Sequence, residues 1–258
     1  MNALGQALTD QHIAFFPFNN RGAYEAKQLR IVDAGPDDDQ RLQAGSHFEL
    51  IADTVYDIDG AVAYLRNKGY EEFYLIGHSS GANKIAAYDH LAKHNPFSKY
   101  VLAGPGDDVG IAYAESGAKK FWKTLDYAER AMKANQLLKT LPKYTVAAGF
   151  SAQSAWDLLN PDGQYNTFPF YEAMHEQLGK KELFAEYKAF KLPTLVIIGE
   201  NDEYAFTAGG AQSALDILMA NTPNQMLKVN DFALIPFADH GFHDAELESA
   251  DKVAEWLA

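Results

Sequence analysis

Short apolar runs alternate along this chain with stretches in which apolar residues recur every three or four positions. That is the pattern of strands and helices in a parallel sheet covered on its faces. Residues 2–10 read as a short helix and residues 13–18 as a buried strand, followed by polar, turn-rich sequence over 19–45. Ser46 and Glu49 have the spacing of a capping box. The helix predicted after them carries Phe48, Ile51, Val55, Ile58, Val62 and Leu65 on one face and stops at Gly69. Residues 73–76 read as a strand, 81–93 as a helix, and 100–103 as a strand that ends in Gly104-Pro105-Gly106. A third apolar strand covers 194–198, with a helix near 211–219, a strand near 234–237 and a closing helix over 246–257.

The alternation stops between residues 105 and 192. This stretch reads as helices and loops without a strand, and it is rich in aromatics: Phe121, Trp122, Tyr127, Tyr144, Phe150, Trp156, Tyr165, Phe168, Phe170 and Tyr171. The expected organisation is a core of residues 1–104 and 191–258 with a helical lid, 105–190, inserted over the carboxyl ends of the strands. Most of the aromatics are expected to form the lid's own core, and a minority to line a pocket.

Composition narrows the functional classes. A chain of 258 residues can bury a large core. Its net charge of −13 disfavours nucleic acid and anionic membranes as partners, since both are held by clustered Lys and Arg. With no cysteine, disulfides, a thiolate nucleophile and Cys-ligated zinc are excluded. That composition suits a reducing compartment, and with neither a membrane-length apolar run nor a signal-peptide pattern the expected location is cytoplasmic. No cofactor is expected.

The chemistry concentrates in Gly77-His78-Ser79-Ser80-Gly81, entered from an apolar run and left through a helical pattern. Gly-x-Ser-x-Gly in that context is the form of a nucleophile elbow, a sharp strand-to-helix turn that exposes a serine Oγ. Residues two before and two after the serine are expected to be small so that strand and helix can approach. A serine nucleophile needs a base, and the base an orienting acid. Asp202, after the 194–198 strand, is the favoured acid, with Glu200 and Glu203 as rivals. His240, flanked by small residues after the last strand, is the favoured base, and His243 the alternative. His240, His243 and Asp244 also resemble a metal-ligand spacing, but one common on loops, and no metal is expected. His12, His47 and His175 read as surface or core residues.

Taken together, these residues resemble the α/β-hydrolase superfamily over nearly the whole chain. Phe18-Asn19-Asn20-Arg21-Gly22 is similar to its Arg-Gly turn after strand four, residues 77–81 to its elbow, 199–202 to its acid loop and 239–242 to its histidine loop. The turn at 104–108 and the long helical lid are similar to a group that includes siderophore-ester hydrolases. The resemblance implies a mostly parallel sheet of about five strands flanked by helices. It also implies a serine hydrolase acting on a small-molecule carboxylic ester through Ser79, Asp202 and His240, with the Ser80 N–H as one oxyanion donor. A thioesterase or amidase with the same triad, or a catalytically impaired binding protein of this fold, are the alternatives.

Against the superfamily pattern, strands one to three are missing, and with them the loop that supplies the second oxyanion donor. The sequence is expected to be an N-terminally truncated version of a longer protein, or else a rearranged fold with a new donor, for which Asn19 and Asn20 are candidates. The loss should leave a gap in the sheet or force residues 13–18 to pair with 73–76. An exposed sheet edge would favour self-association.

Overall fold

The computed structural model describes residues 2–31 and 40–258. Helix α1 covers Asn2–Asp10, as its pattern predicts. Strands β1 (Lys27–Arg30) and β2 (Arg41–Ala44) then pair as an antiparallel ribbon, so the segment expected to be turns contains a hairpin. Residues 32–39 of that segment lie outside the described residues. Helix α2 spans Thr54–Asn67, strand β3 Phe73–His78, helix α3 Ser80–Leu91 and strand β4 Phe97–Ala103. Five helices follow: α4 (Asp108–Ser116), α5 (Ala118–Lys133), α6 (Ala152–Leu159), α7 (Phe170–Met174) and α8 (Ala185–Lys188). Strand β5 (Thr194–Gly199), helix α9 (Ala211–Ala220), strand β6 (Asp231–Ile235) and helix α10 (Glu246–Leu257) complete the chain.

Strands β3, β4, β5 and β6 form one parallel sheet in that order. Parallel strands are buried on both faces, which is why β5 reads as an unbroken apolar run and is buried at every position. The strand period of two divides its residues between two cores. Tyr100, Leu102, Val196 and Ile198 pack with Ile58 and Val62 of α2, Ile85 of α3 and Leu215 of α9. Val101, Ala103, Leu195 and Ile197 pack on the other face with Leu8 of α1 and Val253 and Leu257 of α10. Among the described residues this architecture is an α/β-hydrolase fold without the first strands of the sheet.

Two local expectations are corrected. Residues 13–18 do not form a strand, and among the described residues nothing pairs with the outer edge of β3, so the gap is left open. The run is extended: Ile13 and Phe15 rest on the α1–α10 core, whereas Phe16 stacks on Tyr64 of α2 at 5.5 Å. Pro17 removes a ladder donor in mid-run, and among the described residues no strand pairs with it. The Ser46–Glu49 capping box does not form either. The Glu49 carboxylate is taken by Lys84 Nζ at 2.8 Å, and α2 begins only at Thr54, after a single 3₁₀ turn.

Between β4 and β5, Val109, Phe121, Leu125, Leu141, Ala152 and Leu159 form a separate apolar cluster, supported by Tyr127, Phe150 and Trp156. Phe168 and Phe170 join the main core. Trp122 and Tyr144 are exposed. Most aromatics of this region are therefore core residues.

Candidate active site

The turn between β3 and α3 puts Ser79 at φ 56°, ψ −127°, a conformation that a side chain adopts only at a cost of about 1–3 kcal/mol. Two contacts impose it: Ser79 N–H donates to Ala103 O on β4 at 2.9 Å, and Ala82 N–H returns to Ser79 O at 2.8 Å. Ser79 is the N-cap of α3, yet its side chain makes no capping bond, so Oγ is not spent on the helix. A Cβ at Gly77 would stand 2.3 Å from Gly81 O, so the first glycine of the motif is required by the close crossing of strand and helix. A Cβ at Gly81 would meet nothing within 4 Å. The second small residue is therefore not demanded by packing, contrary to expectation.

Asp202 and His240 are brought together from the loops after β5 and β6. His240 Nδ1 donates to the Asp202 carboxylate, 2.9 Å from Oδ2 and 3.0 Å from Oδ1. The Asp202 side chain is only 4% exposed and that of His240 12%. A carboxylate can only accept here, so the proton sits on Nδ1 and the Nε2 lone pair is left free. Asp202 Oδ1 also accepts Tyr204 N–H at 2.9 Å, which fixes the carboxylate from behind. Burial pushes the imidazole down, but the Asp202 hydrogen bond and charge, with the charges of Glu203 and Asp108, hold it above its ordinary value.

The rivals occupy supporting places. Glu203 Oε2 accepts the backbone N–H of His240 at 3.0 Å, and Glu200 Oε2 that of Phe237 at 3.0 Å, so both pin the histidine loop by its backbone. His243 turns outward, 73% exposed, and pairs with Asp239. Gly104 adopts φ 54° at the end of β4, and a Cβ there would lie 3.2 Å from the His240 ring and 3.4 Å from Asp202 Oδ2. Ser79, tied to Ala103, and the Asp202–His240 pair, packed on Gly104, thus stand at the same end of the sheet.

Ser80 opens α3, where the first helical N–H groups have no intrahelical acceptor. Asn19 is exposed, and the Asn20 carboxamide oxygen accepts Gly22 N–H at 2.9 Å. Arg21 anchors the same turn to α2 through Asp57, at 3.0 Å, and Asp53, at 3.2 Å.

Sequence reasoning gave no role to His78 or to the Asp107–Asp108 pair. His78 Nε2–H donates to His240 O at 2.7 Å and its ring lies 5.0 Å from the His240 ring. Burial lowers the His78 imidazole, which suits its role as a neutral donor. Its signal was its place inside the elbow motif. Asp107 and Asp108 follow Gly104-Pro105-Gly106. Asp107 accepts Gly110 N–H at 2.8 Å and Tyr171 N–H at 2.6 Å, joining α4 to α7.

The chain is similar in fold to a monoacylglycerol lipase of Paleococcus ferrophilus (TM-score 0.56, 14% identity, 98% of this chain and 86% of that one). It is similar to an esterase of Exiguobacterium antarcticum (TM-score 0.54, 12% identity, 99% and 85%). A thermophilic esterase of Thermogutta terrifontis is also similar (TM-score 0.52, 15% identity, 99% and 83%). At these identities the likeness establishes the fold. No curated protein matches the chain. The family model for the α/β hydrolases described as "Serine aminopeptidase, S33" matches residues 1–219, which include Ser79 and Asp202 and end before His240. The chain belongs to that Hydrolase_4 family.

Proposed function

We propose that the protein is a serine hydrolase of carboxylic esters that works through an acyl-enzyme on Ser79. The observation that carries this reading is the buried Asp202–His240 hydrogen bond packed on Gly104, next in the chain to Ala103 of β4, whose carbonyl holds the strained, uncapped Ser79. His240 Nε2 takes the Ser79 proton as Oγ bonds to the ester carbonyl carbon and the carbonyl oxygen becomes an oxyanion. The Ser80 N–H, at the positive end of α3, donates to that oxyanion, with Asn19 as the candidate second donor. As the tetrahedral centre collapses, His240 returns the proton to the departing alkoxide. Water, deprotonated by His240, then bonds to the acyl carbon, and as that centre collapses the acid departs while His240 returns the proton to Ser79 Oγ.

In this reading residues 105–190 form the cap over a core of 1–104 and 191–258. A cytoplasmic location fits the cysteine-free composition. Among the described residues no helix is long and apolar enough to cross a membrane. The family description names an aminopeptidase, which makes amide bonds the second substrate class to test. Steady-state hydrolysis of p-nitrophenyl esters, thioesters and aminoacyl anilides by the wild-type chain and Ser79→Ala is the test. Ester turnover that disappears in a folded Ser79→Ala chain is expected. Turnover retained in that variant would overturn the assignment.

A further inference from the structure

We propose that Asp108 is a second carboxylate of the site, a positioning residue that acts on His240 through space from the start of α4. Together with Asp202 it favours the imidazolium that develops as Ser79 loses its proton; the proposal rests on the hydrolase reading and deepens it.

The placement follows from the turn after β4. Gly104 packs against the His240 ring, and four residues later α4 opens with Asp108. Asn83 of α3 holds the turn by donating to Gly106 O at 2.9 Å, and Asp107 caps α4. Both Asp107 oxygens accept backbone N–H groups, which accounts for that carboxylate structurally. Asp108 is different. Its Oδ2 is sealed from solvent and has no hydrogen-bond partner. An unsatisfied buried acceptor costs about 1–3 kcal/mol, more when charged, and calls for an explanation.

The surrounding charges narrow that reason. Lys84 of α3 is the cation at hand, but its Nζ is held by both oxygens of Glu49, at 2.8 and 3.1 Å. Glu49, of like charge, pushes the Asp108 carboxyl up further, and the Asp108 charge in turn raises the buried Tyr165 hydroxyl. The remaining partner is His240. Burial pushes the Asp108 carboxyl up to about 6, and among its charge contacts the pull of His240 comes first, followed by Lys84. Reciprocally, the His240 ring packs on Tyr204 of the β5 loop at 4.7 Å and on His78 of β3 at 5.0 Å, and it is raised by the charges of Asp202 and Glu203 from the β5 loop and of Asp108 from α4. Above about 6 Asp108 is ionised, and it adds to the negative potential that steadies the imidazolium without competing for the Nδ1 proton held by Asp202.

Asp108→Asn keeps the size and removes the charge. The imidazole of His240 should be titrated by ¹H–¹³C NMR in the wild type and in this variant, with the signal assigned by its loss in His240→Ala. His240 is expected to titrate at lower pH in Asp108→Asn. The plateau kcat/KM on a p-nitrophenyl ester should fall roughly tenfold, with its acid limb displaced in the same direction and KM little changed. Asp108→Ala, which removes the unpaired oxygen, should fold and give the same NMR displacement. An unchanged His240 titration in either folded variant, even beside a lower rate, would reduce Asp108 to a structural role and overturn the proposal. If the wild type hydrolyses none of the esters, the functional reading fails, while the titration still decides the role of Asp108.

Discussion

Glu203 Oε2 accepts the backbone N–H of His240 at 3.0 Å, while its chain neighbour Asp202 holds the imidazole of the same residue at 2.9 Å. One short loop after β5 thus fixes both the backbone and the side chain of the histidine. The two contacts separate experimentally. Asp202→Asn removes the charge and disturbs the tautomer, and kcat should fall on the order of 10⁴-fold, as for other triads that lose their acid. Glu203→Gln keeps a carbonyl acceptor for the His240 N–H, so kcat/KM should stay within about tenfold of wild type. Steady-state kinetics on one ester, with circular dichroism to verify folding, compares the two directly.

Gly104 cannot carry a side chain without touching the pair. Its φ of 54° and the 3.2 Å approach of His240 both oppose Gly104→Ala. Left-handed backbone costs a side chain about 1–2 kcal/mol, and that loss should appear in urea denaturation. Activity should fall further than stability, because the ring that would have to move is the proposed general base.

The pH profile follows from the direction of the His240 shift. In the proposed mechanism only neutral His240 can take a proton from Ser79, so kcat/KM should fall as pH drops through the His240 value. That value lies above the ordinary 6.5: burial alone would lower it, but the hydrogen bond and charge of Asp202, with Glu203 and Asp108, outweigh burial. The same raised value makes the pair stabilising at pH below the unfolded histidine value, with the contribution lost as pH rises through the folded value. Asp202→Asn should therefore destabilise the fold more in mildly acidic than in alkaline buffer. Thermal unfolding across pH measures this, and an equal loss at all pH values would contradict it.

Lys84 and Glu49 form an ion pair beneath the site with side chains 9% and 13% exposed. Lys84→Met leaves the Glu49 charge without its partner in a desolvated place, and should cost about 3 kcal/mol. The double variant Lys84→Met/Glu49→Gln should recover most of that loss. Urea midpoints of the single and double variants test the coupling.

The readable parts of the sequence were those in which local chemistry decides structure. The elbow, the Asp202 loop and the His240 loop each join a strong apolar run to a turn whose residues are set by sterics within a few positions. The failures lie where a partner distant in sequence decides. Residues 13–18 have strand composition, but among the described residues no strand pairs with them, and Pro17 interrupts the run. The β1–β2 ribbon is built from the short, mostly exposed segments Lys-Gln-Leu-Arg and Arg-Leu-Gln-Ala, which carry no apolar period. Ser46 and Glu49 satisfy a capping pattern, yet Lys84, thirty-five positions away, takes the glutamate. His78 and Asp108 gain their roles only when β3, α4 and the β6 loop converge, a juxtaposition invisible to spacing along the chain.

The central claim is that Ser79 is a nucleophile activated by His240. Labelling the purified chain with a fluorophosphonate, and locating the adduct by peptide mass spectrometry, tests it most directly. A single adduct on Ser79, absent from Ser79→Ala and lost in a folded His240→Ala chain, is the expected result. No adduct on the folded wild-type chain, or one that persists undiminished in His240→Ala, would contradict it.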